Sequence, residues 1–240
     1  MYCNTLGFPS VSILIPYFNR KKFEPLIQYN LERQDYPNVR EIIIADDSDR
    51  RGERLQLDLP MPVTYVCLAR CSIGHKRNVL KSLARGEIMV HMDTDDSYAP
   101  SYISTLVRSL TVDRRASVTG SSDMLFINPI TSYTGFQSCV YLNQINEATM
   151  AYKSEYAQVH HFANRSDSEN ESFLRNVSVI VETPVHEIMV CTIHDGNTVS
   201  KTPWEAPQFA DRLPHWFTKA NYYDILKKIY CPQNNNCPTV

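Results

Sequence analysis

The stretch GHKRNVLKSLARGEIMVHMDTDD (74–96) carries three signals in one run. Its first part predicts a helix over 74–86 closed by Gly86. EIMVHM (87–92) follows as a strand. The apolar run then stops at Asp93, Asp95 and Asp96, three carboxylates within four positions. Two like charges a few ångströms apart repel by about 1 kcal/mol in water, and by more where water is scarce. Such crowding at the mouth of a buried strand calls for a neutralising partner or for good solvation.

The same rhythm extends towards the N-terminus. VSILIP (11–16), EIIIA (41–45) and VTYVCL (63–68) are strand-like runs, and KKFEPLIQYNLERQ (21–34) predicts a helix with Phe23, Leu26, Ile27 and Leu31 on one face. Continuous apolar strands separated by helices imply a mostly parallel sheet with helices on both faces, an α/β architecture with right-handed crossovers. Beyond residue 115 the pattern is less regular. SVTGSSDMLFINP reads as two short strands, ATMAY and EIMVCTIH (187–194) as one each, and NYYDILKKIY (221–230) as a helix. CPQNNNCPTV (231–240) reads as a linker or tail.

Composition narrows the classes. At 240 residues with 43% apolar content, the chain has length for a real core. A net charge of −2 argues against nucleic acid or an anionic membrane as a general partner. No apolar run reaches the 18 residues of a membrane span, and MYCNTLGFPS lacks the basic and apolar regions of a signal peptide. A cytoplasmic location is therefore expected, with the seven cysteines as free thiols and the sequons at Asn164, Asn170 and Asn176 idle.

In a parallel sheet, ligands bind in the crevice at the C-terminal strand edge. Here strand one ends in Pro16-Tyr17-Phe18-Asn19, strand two in Asp46-Asp47-Ser48-Asp49 and strand four in Asp93-Thr94-Asp95-Asp96, so six acidic residues are expected at one crevice. The basic Gly74-His75-Lys76-Arg77-Asn78 lies between them at a helix start. Carboxylates suit Mg²⁺ or Mn²⁺, which bridge phosphate oxygens, and a basic helix N-terminus takes the remaining phosphate charge. None of the seven glycines forms a G-x-G pair, so neither a dinucleotide fingerprint nor a P-loop is present.

Taken together, VSILIPYFN, IIIADDSD and IGHKRNVLKSLARGEIMVHMDTDD resemble the nucleotide-binding half of glycosyltransferase family 2, over residues 11 to 98. The resemblance implies a GT-A fold, with residues 1–115 binding the donor, 116–230 binding the acceptor and 231–240 as tail. It implies an inverting, metal-dependent transfer from a nucleotide-sugar, a UDP-sugar foremost, to a glycan or other hydroxyl acceptor. Pro16, Tyr17 and Asn19 would line the nucleobase and ribose pocket, Asp47 would meet the base, and Lys76 and Arg77 would face the nucleotide. Asp93 and Asp95 would form the D-x-D pair, Asp93 serving both ribose and metal, with Asp96 as a substitute ligand. His194 would complete a Mn²⁺ or Mg²⁺ site. The family's base comes from an acidic pair opening a helix. In SDSENESFLRN (166–176), Glu169 takes the first acidic position and Asn170 the second, leaving Glu169 and Glu171 as candidates and Asp167 as a third option. A capping box is the competing reading of this segment. His91 is expected to be a structural histidine on a strand face.

Overall fold

A computed structural model describes residues 7–49, 54–138, 144–197 and 213–230. Four parallel strands form its first half: β1 (Val11–Tyr17), β2 (Val39–Asp46), β3 (Val63–Cys67) and β4 (Ile88–His91). Their registers align Tyr17 with Asp46 and Asp46 with Cys67, so the C-terminal ends of β1, β2 and β3 share one edge. Leu14 pairs with His91, which brings the end of β4 to the same edge.

Three helices cover this half: α1 (Glu24–Glu32), α2 (Ile73–Leu83) and α3 (Tyr102–Val112). Both sheet faces are buried, which explains the unbroken apolar runs. Ile13, Ile15, Ile42 and Ile44 pack with Ile27 of α1 and Ile103 and Leu106 of α3. Leu14, Ile43 and Met89 point the other way, towards Leu80 of α2 and the aromatic pair Phe162 and Phe173.

The helix expected over 21–34 is a 3-10 turn, Lys21–Phe23, followed by α1, whose first turn contains Pro25. The helix expected over 74–86 begins at Ile73, capped by Ser72 Oγ accepting from His75 N at 3.1 Å, and ends at Leu83. Gly86 is therefore not its cap. It lies where the chain passes against β1, so close that a side-chain carbon at this position would sit only 2.5 Å from Ser12 N.

The second half extends the sheet and adds another. In chain order it holds β5 (Ser97–Tyr98), β6 (Val118–Gly120), β7 (Met124–Ile127), β8 (Thr134–Gln137), β9 (Ala151–Lys153), β10 (Ile180–Glu182) and β11 (Met189–Thr192). The main sheet runs β10-β6-β9-β4-β1-β2-β3, with β9 antiparallel to both neighbours. It joins strands from both sides of residue 115. The two strands expected in SVTGSSDMLFINP are β6 and β7, which belong to different sheets, because β7 joins a smaller sheet ordered β5-β11-β7-β8. That sheet packs through Leu125, Ile127 and Val190 on Phe217, Tyr222 and Leu226. These last residues come from α7 (His215–Thr218) and α8 (Tyr222–Tyr230), the helix expected near the end. Three shorter helices, α4 (Ser154–Val159), α5 (Asn170–Phe173) and α6 (Val185–Ile188), complete the order. The expected tail lies outside the described residues. Among the described residues, no helix is long and apolar enough to cross a membrane.

Candidate active site

A cleft of about 210 Å³ opens on the C-terminal edge of the main sheet. Its lining includes Pro16, Phe18, Arg70, Lys76 and Arg77, then Asp93 to Asp96, and on the far wall Asn146 to Ala148 and Ser166 to Glu169.

The chain leaves β1 through Asn19, which takes a left-handed conformation (φ 49°) and donates its N–H to Ser48 Oγ at 2.7 Å. Asparagine tolerates that geometry better than most residues. Tyr17 is fully buried against Tyr65, so of the expected base-pocket residues only Pro16 lines the cleft. Phe18 lines it beside Pro16, with the Arg70 guanidinium 3.6 Å from its ring centre.

The two aspartates ending β2 have different fates. Asp46 is tied into its own turn, accepting from Ser48 N at 2.8 Å and from the Tyr65 hydroxyl at 2.7 Å. Asp47 accepts from Lys76 Nζ at 2.6 Å, Arg70 Nη1 at 2.8 Å and Cys71 N at 3.0 Å. Burial works against its charge, but these donors outweigh burial and hold the carboxyl below the usual aspartate range. The expected crowd of six acids is therefore smaller: Asp93, Asp95 and Asp96 line the cleft, Asp47 lies beneath Lys76 and Arg70, and Asp49 is exposed.

Arg77 stands at the centre. Its Nε donates to Glu169 Oε1 at 3.0 Å, Nη1 meets His91 Nδ1 at 3.0 Å, and Nη2 lies 3.5 Å from Asp93 Oδ1. Burial opposes its charge, yet Asp93, Glu169 and Glu147 more than compensate. His91 is pushed well below its ordinary value by burial and by Arg77, so the ring is neutral, and its Nδ1 lies 2.9 Å from Glu147 O as well as beside the guanidinium. Its Nε2 lies 3.1 Å from the Tyr152 hydroxyl. The structural role expected of His91 thus has a definite object, the placing of Arg77.

Close packing makes this contact possible. Gly74 begins α2 so near the 163–169 segment that a side-chain carbon there would lie 1.8 Å from Ala163 O. Gly74 N donates to Arg165 O at 3.0 Å, and Ala163 N donates to Glu169 O at 2.9 Å. Glu169 makes no capping bond at α5; its carboxylate is turned inward to Arg77. Glu171 faces outward in an ion pair with Arg165 at 2.6 Å and does not line the cleft. Asn170 is buried and donates to Ile145 O at 2.5 Å.

At the other end, His194 Nε2 and Asp95 Oδ2 are 2.8 Å apart. Arg20 Nη1 lies 3.3 Å from His194 Nε2 and 3.4 Å from Asp95 Oδ2. Phe23 and Tyr230 of α8 flank the imidazole, with ring centres at 5.1 and 5.9 Å. Burial lowers the His194 pKa against the opposing pull of Asp95, which favours the neutral ring that metals bind. Asp96 ties β4 to β11 by accepting from Thr192 N at 3.0 Å. No group of three or more potential ligands is arranged around a single metal position among the described residues. The Asp95–His194 pair nevertheless offers one hard oxygen and one imidazole nitrogen together, a donor set that suits Mn²⁺ better than Mg²⁺, which prefers oxygen ligands alone.

Phe18, Arg20, Arg70 and Glu147 all line the cleft, and none of them was expected to have a role there. Phe18 and Arg20 adjoin the expected pocket residues, and Arg70 follows β3 at the same strand edge, so position was the available signal. Glu147 lies 51 residues after Asp96 by subtraction of their numbers, outside every motif, and only β9 brings it beside β4.

The architecture matches solved GT-A glycosyltransferases. One is S. aureus TarS 1-349 in complex with UDP-GlcNAc, with a TM-score of 0.59 and 17% identity, covering 78% of this chain and 60% of that one. Another is the mannosyltransferase PcManGT from Pyrobaculum calidifontis in complex with GDP-Man and Mn²⁺, with a TM-score of 0.58 and 15% identity, covering 94% of this chain and 71% of that one. At such identities the likeness shows the fold, which is GT-A. The sequence model of Glycosyl transferase family 2 matches residues 12–165, and the chain belongs to that family. Among curated relatives, the putative colanic acid biosynthesis glycosyl transferase WcaA of Escherichia coli K12 is 32% identical over 108 residues, 41% of this chain and 37% of that protein. An uncharacterized glycosyltransferase of Haemophilus influenzae is 29% identical over 91 residues, 38% of this chain and 31% of that protein. The chain thus spans about a third of the length of these two relatives.

Proposed function

We propose that this chain is an inverting glycosyltransferase that moves a sugar from a nucleotide-sugar, a UDP-sugar foremost, to a hydroxyl of a glycan or other acceptor. The observation that supports it most is the division of the cleft. Arg70 and Lys76 lie on Asp47 at the end of β2, the Asp95–His194 pair stands at the ends of β4 and β11, and Arg77 joins Asp93 to Glu169, with Glu147 and Asp167 in the same lining. The TarS and PcManGT structures, bound to a UDP-sugar and a GDP-sugar, support a nucleotide-sugar donor.

In this reading Phe18 and Pro16 offer the nucleobase an apolar surface and Arg70 a polar partner, with Asp47 beneath holding Arg70 and Lys76 in place. Lys76 and Arg77 offset diphosphate charge. Asp95 and His194 would hold the divalent metal, with Asp93, which lies against Arg77, as the other half of the D-x-D pair. When bound, the metal supplies Lewis-acid stabilisation of the leaving diphosphate. The acceptor hydroxyl gives its proton to a carboxylate on the opposite wall.

Thermal unfolding with UDP, GDP, dTDP and CMP, each with and without Mn²⁺, tests this reading. A nucleotide at 100 times its Kd adds about 2.7 kcal/mol. For a domain of this size that is a Tm rise of about 5–10 °C. The rise is expected for one nucleotide, to depend on Mn²⁺, and to vanish in Asp95→Asn. No rise with any of the four would overturn the donor assignment.

A further inference from the structure

We propose that Glu147, rather than either glutamate of the 166–176 segment, is the group that takes the proton from the acceptor hydroxyl, and that Glu169 is a positioning residue for Arg77. This rests on the transferase reading above. Glu147 opens the 3-10 turn Glu147–Thr149, whose cap is Asn146 Oδ1 accepting from Ala148 N at 3.2 Å. The turn leads directly into β9, and Met150 O accepts from His91 N at 2.9 Å. The backbone of Glu147 is therefore fixed at the end of β4, its carbonyl oxygen 2.9 Å from His91 Nδ1, where the aspartates emerge.

The cleft carboxylates differ in what already holds them. Asp95 faces Arg20 and His194, Asp96 accepts from Thr192 N, and Asp93 lies beside Arg77. Glu169 gives one oxygen to Arg77 Nε, and Asp167 is exposed to solvent. The Glu147 carboxylate is held only by its own backbone N–H among the described residues, yet it lines the cleft and is partly shielded from water. It thus has lone pairs available to a substrate hydroxyl. A proton acceptor must have such a pair within hydrogen-bond reach of the hydroxyl it serves.

The surroundings suit the task. Glu169 beside α5, Arg77 on α2 and Asp93 after β4 act on Glu147, while His91 on β4 is neutral. Burial first, then the charge of Glu169, pushes the carboxyl up to about 7 against the pull of Arg77. There it combines basic strength with a substantial ionised fraction near neutral pH.

In the step itself, the acceptor oxygen forms a bond to the anomeric carbon while its proton passes to a Glu147 oxygen. The bond from that carbon to the diphosphate oxygen breaks, and its electron pair leaves with the nucleoside diphosphate. Glu147 then returns the proton to solvent.

The experiment uses the full chain with Mn²⁺ and two donors, UDP-GlcNAc and GDP-mannose, with water standing in for the acceptor. Nucleotide binding is followed by calorimetry with UDP and GDP, and turnover by nucleoside diphosphate release. Glu147→Gln is expected to bind nucleotide within about threefold of wild type while kcat falls about 10²–10⁴-fold at unchanged donor KM. The wild-type rate should rise with pH along a limb set by one ionising group, and this limb should be absent in Glu147→Gln. Glu147→Asp should recover part of the rate. Glu169→Gln should act mainly on donor KM and keep the limb. Turnover within threefold of wild type in Glu147→Gln, or survival of the limb there, would overturn the inference alone. Binding of neither nucleotide by wild type would overturn the donor reading as well, and binding without turnover of either donor would overturn the assignment of a base in this cleft.

Discussion

Arg77 is almost wholly enclosed, and its guanidinium is divided among Glu169, His91 and Asp93. Arginine cannot shed its proton to escape burial, so each N–H needs an acceptor. His91 Nδ1 lies 3.0 Å from Arg77 Nη1 and 2.9 Å from Glu147 O, and its Nε2 3.1 Å from the Tyr152 hydroxyl. Replacing it by Phe keeps most of the volume and leaves these buried groups without their polar partner, which is expected to cost about 1–3 kcal/mol in urea unfolding. His91→Asn, which can still offer an oxygen, should lose less. The acidic cluster at 93–96 and the basic pair Lys76-Arg77 were legible as residues lining one cleft, because strand ends and a helix start fix their place. The choice between Glu169 and Glu171 was not legible, since a four-residue helix has too little periodicity to say which side chain turns inward. Glu147 was hidden for another reason: its position depends on a strand pairing far along the chain.

The element that most directly shapes the cleft is α2, pressed against the sheet at one end and against the 163–169 segment at the other. Its start was readable from the basic run, but its end was not. Gly86 suggested a helix cap, whereas the backbone is already extended at Ala84 and the glycine serves the close passage beside β1. Gly86→Ala would force a methyl to within 2.5 Å of Ser12 N and 2.8 Å of Ser12 Oγ, which also accepts from Gly86 N. A loss of about 1–3 kcal/mol is expected, seen as a lower urea midpoint with unchanged slope. The long parallel strands were legible because both of their faces are buried. Strands of two to three residues, such as β5, β9 and β10, owe their form to their neighbours in the sheets, and single-chain periodicity has little to register over so short a span.

Across the whole molecule, stability should carry the mark of Glu147. Its folded-state carboxyl is raised from 4.5 to about 7, so the proton is held more tightly in the native state. The resulting stability is full below about pH 4.5 and is lost as pH rises towards 7. Glu147→Gln removes this dependence. In the metal-free chain, the variant's stability relative to wild type is expected to climb between these pH values, by up to about 3 kcal/mol, and then to level off. Urea titrations of both proteins at pH 4.5, 6 and 8 in the presence of chelator measure it; a difference that does not change with pH would contradict the shift.

Arg20 gives the same molecule another property. With its guanidinium 3.4 Å from Asp95 and 3.3 Å from His194, the acidic pocket carries an internal counter-ion tethered to the turn after β1. Any cation taken up by Asp95 and His194 therefore enters by exchange. Its affinity is the difference between two cations competing for one carboxylate, not the attraction of bare acid, and the released guanidinium becomes available to whatever anion arrives with the metal.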